Sequence, residues 1–364
     1  MPELKTLALV VLVGALVGVV CVYAYWWAVS RYKVWAARER PVRAWRRTLW
    51  RDPGEVERLD FRGGPGGTDG APAPPFRFVE EHATGSNPCL SARDARGRTW
   101  RVKWGDEVRS ETFCVRLAWA VGFHAEAAYF VADGELEGAT NLGRASACVT
   151  EDCRFRDARF ELDEPGVRKL FDEHGWSWDD NPFLGTRELA GLKVMLMLLS
   201  NWDNKDVRDV ARGSNTAVFE YTLPDGGREA RYLIIDWGAS MGKWGSPLTR
   251  GKWDCEGFES QNPQFITGVE NGVVRWGYTG QRTDEATEDI TVEDVRWVCR
   301  YLGRVTDHQL REGLLASGAT DEEADCFTRA IRERINQLQR VAELGNGYRP
   351  PAAGDPPGER RTAL

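Results

Sequence analysis

The residues best suited to chemistry are two aspartates and a lysine in the middle of the chain. Asp203 and Lys205 lie in a polar cluster that directly follows an apolar run, and Asp236 comes at the end of a β-rich run. Two carboxylates and a cation in fixed places can carry out phosphoryl transfer, which depends mainly on positioning and charge neutralisation. Asp203 would align an acceptor hydroxyl, Asp236 would hold Mg²⁺ against the phosphates, and Lys205 would steady the transferred group.

The neighbouring sequence predicts the elements that position these residues. Residues 192–199 are rich in helix formers and too short to cross a membrane. Two β-rich runs between residues 215 and 235 flank the turn sequence Pro224-Asp225-Gly226-Gly227, which predicts a hairpin. The helix would lead into the loop with Asp203, and the second hairpin strand would end at Asp236.

These motifs resemble the protein-kinase-like superfamily, especially its atypical bacterial HipA-like branch. Asp203-x-Lys205 matches the Asp-x-Lys of the eukaryotic-type catalytic loop, and Asp236-Trp237-Gly238 is similar to the Asp-Phe-Gly motif. The resemblance implies an ATP-dependent phosphotransferase that uses Mg²⁺. It covers about residues 78–240 through short motifs.

The resemblance also implies roles for residues nearer the N-terminus. Lys103, in a β-rich run, would hold the ATP phosphates, and Glu111, at the start of a helical pattern, would pair with Lys103. Glu107, one turn earlier, is the alternative partner. A turn containing Gly85 and Ser86 would cover the phosphates with backbone N–H groups.

One position departs from the family pattern. The family places a metal-binding asparagine about five residues after the catalytic aspartate, where this chain has Arg208. Asn215 is the expected substitute as a metal ligand, and Asp206 and Asp209 are alternatives. A kinase-like scaffold or nucleotide-binding module without catalytic activity is therefore the second hypothesis.

The predicted fold class is α+β, a two-lobed kinase-like domain behind one transmembrane helix. The β-rich N-lobe would span about residues 76–135 and the helical C-lobe about 136–344. Capping-box sequences predict C-terminal helices, which we place at residues 292–303, 307–317 and 321–341. The Gly- and Pro-rich stretch 52–75 is typical of a linker, and the tail 345–364 of a disordered segment.

The N-terminal sequence predicts a membrane anchor. Residues 6–29 contain no charged side chain over 24 positions, and a basic segment at 30–51 follows. This charge distribution predicts a single-pass protein with its N-terminus outside and its kinase-like domain in the cytoplasm. Gly14 and Gly18 fit a small-residue motif through which two such helices would form a homodimer. A periplasmic binding module is a third hypothesis, which depends on the opposite topology.

Charge and cysteine content restrict the partners. The formal charge is −7 overall, and because residues 1–51 carry +7, residues 52–364 carry −14. No nucleic-acid partner is therefore expected, since that would call for a basic face. The eight cysteines are expected to be unpaired thiols in a cytoplasmic domain. The phosphoacceptor, whether protein, lipid or small molecule, cannot be read from the sequence.

Overall fold

The computed structural model describes residues 18, 21, 24, 25, 46–83, 87–170, 176–203, 215–246, 248–281 and 283–350. The molecule is α+β. A closed five-stranded barrel takes up the first part, and a four-stranded sheet with several helices takes up the second part.

The barrel has the strand order β2-β3-β4-β6-β5. Its strands are β2 (Phe76–His82), β3 (Cys89–Arg93), β4 (Thr99–Lys103), β5 (Ala128–Glu137) and β6 (Arg154–Leu162). Neighbouring strands are antiparallel except for β2 and β5, which pair in parallel and close the barrel. Helix α1 (Val108–Ala120) connects β4 to β5 and packs against β5 and β6.

The alternation of side chains along β4 separates the barrel core from the candidate site. Trp100 and Val102 are buried in the core, which also contains Phe76, Leu90 and Phe160. Because side chains alternate between the two faces of a strand, Arg101 and Lys103 lie on the opposite face.

The stretch 52–75, for which composition predicts a linker, contains three short 3₁₀ helices (Val56–Arg58, Gly64–Gly66 and Thr68–Gly70). Val56 and Phe61 are buried in the main core. The buried Arg116 of α1 donates from Nε to the Phe61 carbonyl at 3.1 Å. These contacts attach the stretch to α1.

The second part of the molecule contains a sheet of order β1-β9-β8-β7. Its strands are β1 (Arg46–Thr48), β7 (Arg168–Leu170), β8 (Thr216–Thr222) and β9 (Arg228–Ile234). Strands β8 and β9 form the predicted hairpin. The remaining described elements are α2 (Arg187–Leu198), α3 (Cys255–Gln261), β10 (Ile266–Glu270), β11 (Val273–Trp276), α4 (Thr283–Thr287), α5 (Val292–Leu302), α6 (Asp307–Leu315) and α7 (Asp321–Leu344).

The helix starts predicted from capping sequences are confirmed. Thr291, Thr306 and Thr320 each accept a hydrogen bond from the backbone of the residue three positions later, whose side chain returns a bond to the cap. Each box satisfies two backbone N–H groups that have no partner within the helix.

The predicted fold class requires correction. The β-rich part is a closed barrel rather than the N-lobe expected at 76–135, because β2 pairs with β5 and β6 continues to Leu162. The part predicted as a helical C-lobe contributes three strands to the four-stranded sheet. No transmembrane helix precedes these elements in the described parts of the chain.

The prediction of a single-pass membrane protein is corrected as well. Among the described residues, no helix combines the length and apolar character needed to cross a bilayer. The apolar helix α2 has 12 residues and rises only about 18 Å, against a hydrocarbon thickness of about 30 Å. The predicted span 6–29, with the proposed dimer motif, lies outside the described residues except for positions 18, 21, 24 and 25.

The expectation of unpaired thiols is wrong for two cysteines. Cys255 on α3 and Cys326 on α7 form a disulfide, with a Cα–Cα distance of 6.3 Å. The two residues are 71 positions apart, and the packing of α3 against α7 brings them together. Disulfides are typical of oxidising compartments, which disagrees with the predicted cytoplasmic location.

Candidate functional site

Lys103 lies at the end of β4 and contacts the first turn of α1. Its Nζ atom donates to Glu107 Oε2 at 2.8 Å and to Glu111 Oε1 at 2.7 Å. The two glutamates are four residues apart, so a helical turn places them on one face. The predicted Lys103–Glu111 pair is therefore present, and the alternative partner Glu107 binds the same ammonium group.

Two further cations, Arg159 and Lys252, complete this network. Arg159 on β6 binds the second oxygen of Glu111 and also contacts Glu161. Lys252, from the segment before α3, donates to Glu107 Oε1 at 2.5 Å. The sequence analysis missed both cations because they are 48 and 145 residues from their partners. Local spacing and periodicity carried no signal for the contact of Lys252 with Glu107.

Asp236 follows β9 and faces the same glutamates. Oxygen atoms of Asp236, Glu107 and Glu111 all lie within 4.8 Å of one another, and we call these three residues the carboxylate cluster. Gly238 allows this approach, because a Cβ atom at that position would lie 2.7 Å from the Glu107 side chain. Ser110 of α1 also donates to the Gly238 carbonyl at 3.1 Å. The Asp-Trp-Gly turn is thus packed directly against α1.

The surroundings of the cluster raise the pKa of Asp236 and lower the pKa of Glu107. Burial, reinforced by Glu111, raises the pKa of Asp236 to about 6, although Lys103 opposes the rise. Burial would also raise the pKa of Glu107, but its contacts with Lys103 and Lys252 hold that pKa at about 2. For Lys103, attraction to Glu111 and Asp236 outweighs burial and raises the pKa of the ammonium group. Lys103 and Glu107 are therefore charged at neutral pH.

Asp203 lies after α2 and accepts hydrogen bonds from two amide side chains. Its Oδ1 atom accepts from Gln281 Nε2 at 2.6 Å, and its main-chain oxygen accepts from Asn215 Nδ2 at 2.5 Å. The preceding Trp202 donates its backbone N–H to the Ala239 carbonyl at 3.1 Å. We call residues 201–203 the Asp203 loop, and this last bond ties it to the segment that follows Asp236.

The amide side chains near this loop have distinct roles. Asn215, predicted as a metal ligand, uses its amide nitrogen to hold Asp203 in place. Asn201 donates from Nδ2 to the Asp236 carbonyl at 3.3 Å. Its Oδ1 atom is buried without a hydrogen-bond partner among the described residues, which is a costly arrangement for a polar atom.

Several predicted residues cannot be placed. Lys205, Arg208 and the alternative ligands Asp206 and Asp209 belong to the stretch 204–214, which lies outside the described residues. Gly85 and Ser86 also lie outside them. Their proposed roles in binding phosphate and metal remain predictions.

A cavity of about 340 Å³ lies beside Arg101 of β4, and Lys103 is not among the residues that line it. Arg101, two residues before Lys103, lines it together with Glu161 of β6 and Lys169 and Phe219 of the four-stranded sheet. The volume suits a small molecule, but the lining is more charged than that of most ligand pockets. Comparisons with protein-family models, curated proteins and solved structures gave no match for this chain.

Proposed function

We propose that this protein transfers a phosphoryl group from ATP to an acceptor hydroxyl with the help of Mg²⁺. The observation that carries this proposal is the position of Lys103, whose ammonium group lies between Glu107 and Glu111 and is attracted by Asp236. A lysine fixed by a helix carboxylate beside a metal-binding aspartate is what phosphoryl transfer requires.

The donor set of the carboxylate cluster fits magnesium. Mg²⁺ prefers oxygen ligands, and the carboxylate oxygens of the cluster are close enough to share one ion. Asp236 and Glu107 would hold it. Asn201, whose Nδ2 bonds to the Asp236 carbonyl and whose Oδ1 lacks a hydrogen-bond partner among the described residues, is the candidate for a further oxygen ligand. When bound, the ion would neutralise charge on the phosphates and orient them.

Each residue then has a defined task. Lys103 binds phosphate oxygens of ATP, and Glu111, itself held by Arg159, fixes the direction of the lysine side chain. The oxygen of the acceptor hydroxyl attacks the γ-phosphorus, and Asp203 accepts the proton of that hydroxyl. The bond from the γ-phosphorus to the bridging oxygen breaks, and ADP leaves. The cavity lined by Arg101, two residues before Lys103 on β4, would receive the nucleoside.

The test is transfer of radiolabelled γ-phosphate by the purified full chain in the presence of Mg²⁺. Autophosphorylation, transfer to casein and hydrolysis by water are measured together, because the acceptor is unidentified. Wild-type protein should release or transfer label, and Asp236→Asn should abolish the activity. Equal activity in wild type and the variant would contradict the proposal.

A nucleotide-binding scaffold is the second candidate, and one observation favours it. Three cations, Lys103, Arg159 and Lys252, already neutralise the carboxylate cluster without a metal ion. Such a cluster needs no metal ion to balance its charge, which fits a protein that binds a nucleotide without transferring phosphate. A wild-type protein that binds ATP but transfers no phosphate in the same assay would support this candidate.

A further inference from the structure

Glu107 holds two ammonium groups, one on each oxygen. Lys103 binds Oε2 at 2.8 Å and Lys252 binds Oε1 at 2.5 Å. Lys103 has Glu111 as a second partner, whereas Glu107 is the only ion-pair partner of Lys252 among the described residues. The Lys252 side chain is also the more exposed, at 29% against 19%. Lys252 is therefore the cation that can move to a ligand at lower cost.

Lys252 lies near both the Asp203 loop and the carboxylate cluster. Its Nζ atom lies 5.9 Å from the ring centre of Trp202, the residue before Asp203. The same atom contacts Glu107 in the carboxylate cluster. Lys252 thus contacts the carboxylate cluster and lies near Trp202, the residue that precedes Asp203.

The backbone around Lys252 is held in an unusual conformation. Trp253 has a φ of 50°, in the left-handed region that bulky side chains rarely adopt. Its indole nitrogen donates to Glu323 on α7 at 3.0 Å, and Asp254 donates its N–H to the Met241 carbonyl at 2.8 Å. The disulfide at Cys255 then attaches the chain to α7. Strained backbone held by this many contacts is typical of functional sites.

We propose that Lys252 is a catalytic residue, whose ammonium group leaves Glu107 and binds the γ-phosphoryl oxygens of bound ATP. The proposal rests on the proposed function. A cation at the transferred group stabilises the charge that develops there. Lys205, predicted for this task, lies outside the described residues, and Lys252 reaches the site from a different segment. Glu107 retains Lys103 when Lys252 moves.

The test compares Lys252→Met with the matched control Lys243→Met in the purified full chain. Lys243 lies on the same segment and has no ion-pair partner in the described part of the chain. Lys252→Met should lower kcat by about 100-fold or more, as loss of a transition-state cation does. It should also weaken binding of ATP but leave binding of ADP unchanged, because ADP lacks the γ-phosphate. Lys243→Met should change none of these values by more than about twofold.

The outcomes separate this inference from the proposed function. If wild type transfers phosphate and Lys252→Met retains its kcat, the role of Lys252 is wrong and the proposed function stands. An equal loss of ATP and ADP affinity would also overturn it, since a general disturbance of the site would affect both ligands. A wild-type protein that transfers no phosphate overturns both. Partial recovery of kcat in Lys252→Arg would support the role, because that variant keeps the charge.

Discussion

The carboxylate cluster and the Asp203 loop are held by different kinds of interaction. Lys103 bonds to two glutamates of the cluster at 2.7 and 2.8 Å, and two more cations neutralise the same group. Asp203 instead accepts hydrogen bonds from the neutral amides of Gln281 and Asn215. Ion pairs hold the first region, whereas these two hydrogen bonds of the second come from uncharged donors.

This difference suggests how the two regions divide the work. Ion pairs assembled before any ligand arrives suit the binding of a highly charged nucleotide. In the proposed mechanism Asp203, which lies outside the carboxylate cluster, accepts the proton of the acceptor hydroxyl. Variants in the cluster should therefore change nucleotide binding and stability, and variants in the Asp203 loop should change turnover.

Among variants that keep nucleotide binding, the largest effect is expected from Asp203→Ala. Removing a general base typically lowers turnover by about 10²–10⁴-fold. Affinity for Mg²⁺ and ATP should stay near the wild-type value, because Asp203 lies outside the carboxylate cluster. Rate measurements at saturating ATP, with titration calorimetry for affinity, would check this. A comparable loss of ATP affinity would show that the two regions are not separate.

Lys103→Met should lower ATP affinity and stability, which Asp203→Ala should leave unchanged. Without the ammonium group, the buried Glu111 loses one partner, and breaking a buried ion pair usually costs about 3–5 kcal/mol. Urea unfolding should show this loss in the absence of nucleotide, and calorimetry should show weakened ATP binding. Lys243→Met, which breaks no ion pair among the described residues, is the control and should unfold like wild type. Unchanged stability and unchanged ATP binding in Lys103→Met would contradict the claim that Lys103 and the carboxylate cluster bind ATP.

Asp236→Asn should reveal the proton affinity of the cluster in metal-free protein. The folded pKa of Asp236, about 6, lies above its ordinary value of 3.8, so between these values the folded state keeps a proton that the unfolded state has lost. Wild-type stability should therefore fall as pH rises from about 4 to 6, by up to about 3 kcal/mol. The variant lacks this loss, and its advantage over wild type should grow across that window and then level off. Unfolding free energies measured with a chelator present test the sign, and a constant difference would refute it.

Asn215→Ala should have the smallest effect. Its amide nitrogen holds the main-chain oxygen of Asp203, and loss of one such hydrogen bond costs about 1 kcal/mol, or roughly fivefold in turnover. Excess Mg²⁺ should not restore the rate if Asn215 acts by positioning. Rescue by Mg²⁺ or Mn²⁺ would instead favour the metal-ligand role predicted from the sequence.

The sequence located the residues whose partners are close along the chain. Lys103 and Glu111 are eight residues apart; periodicity predicted the strand and the helix, and the resemblance to the kinase-like pattern implied their contact. Asp236 was found because the hairpin that delivers it carries a clear turn signal. Local patterns of this kind reflect backbone geometry, which each segment determines by itself.

Contacts between distant segments could not be predicted. Arg159 and Lys252 reach the cluster only after the barrel closes and the segment before α3 folds back. Closure depends on parallel pairing between β2 and β5, such as Phe76 with Leu136, and the disulfide joins residues 71 positions apart. Such pairings depend on packing of the whole chain, which hydrophobic periodicity does not specify.

Magnesium-dependent nucleotide binding tests the central claim most directly. Titration calorimetry of the purified full chain with ATP, in Mg²⁺ and in chelator, would be run on wild type and Asp236→Asn. We predict that wild type binds ATP tightly only with Mg²⁺ and that the variant loses this dependence, because in the proposed site Asp236 and Glu107 would hold the ion. Absence of ATP binding by wild type, or the same Mg²⁺ dependence in the variant, would contradict the claim that the carboxylate cluster is a nucleotide and metal site.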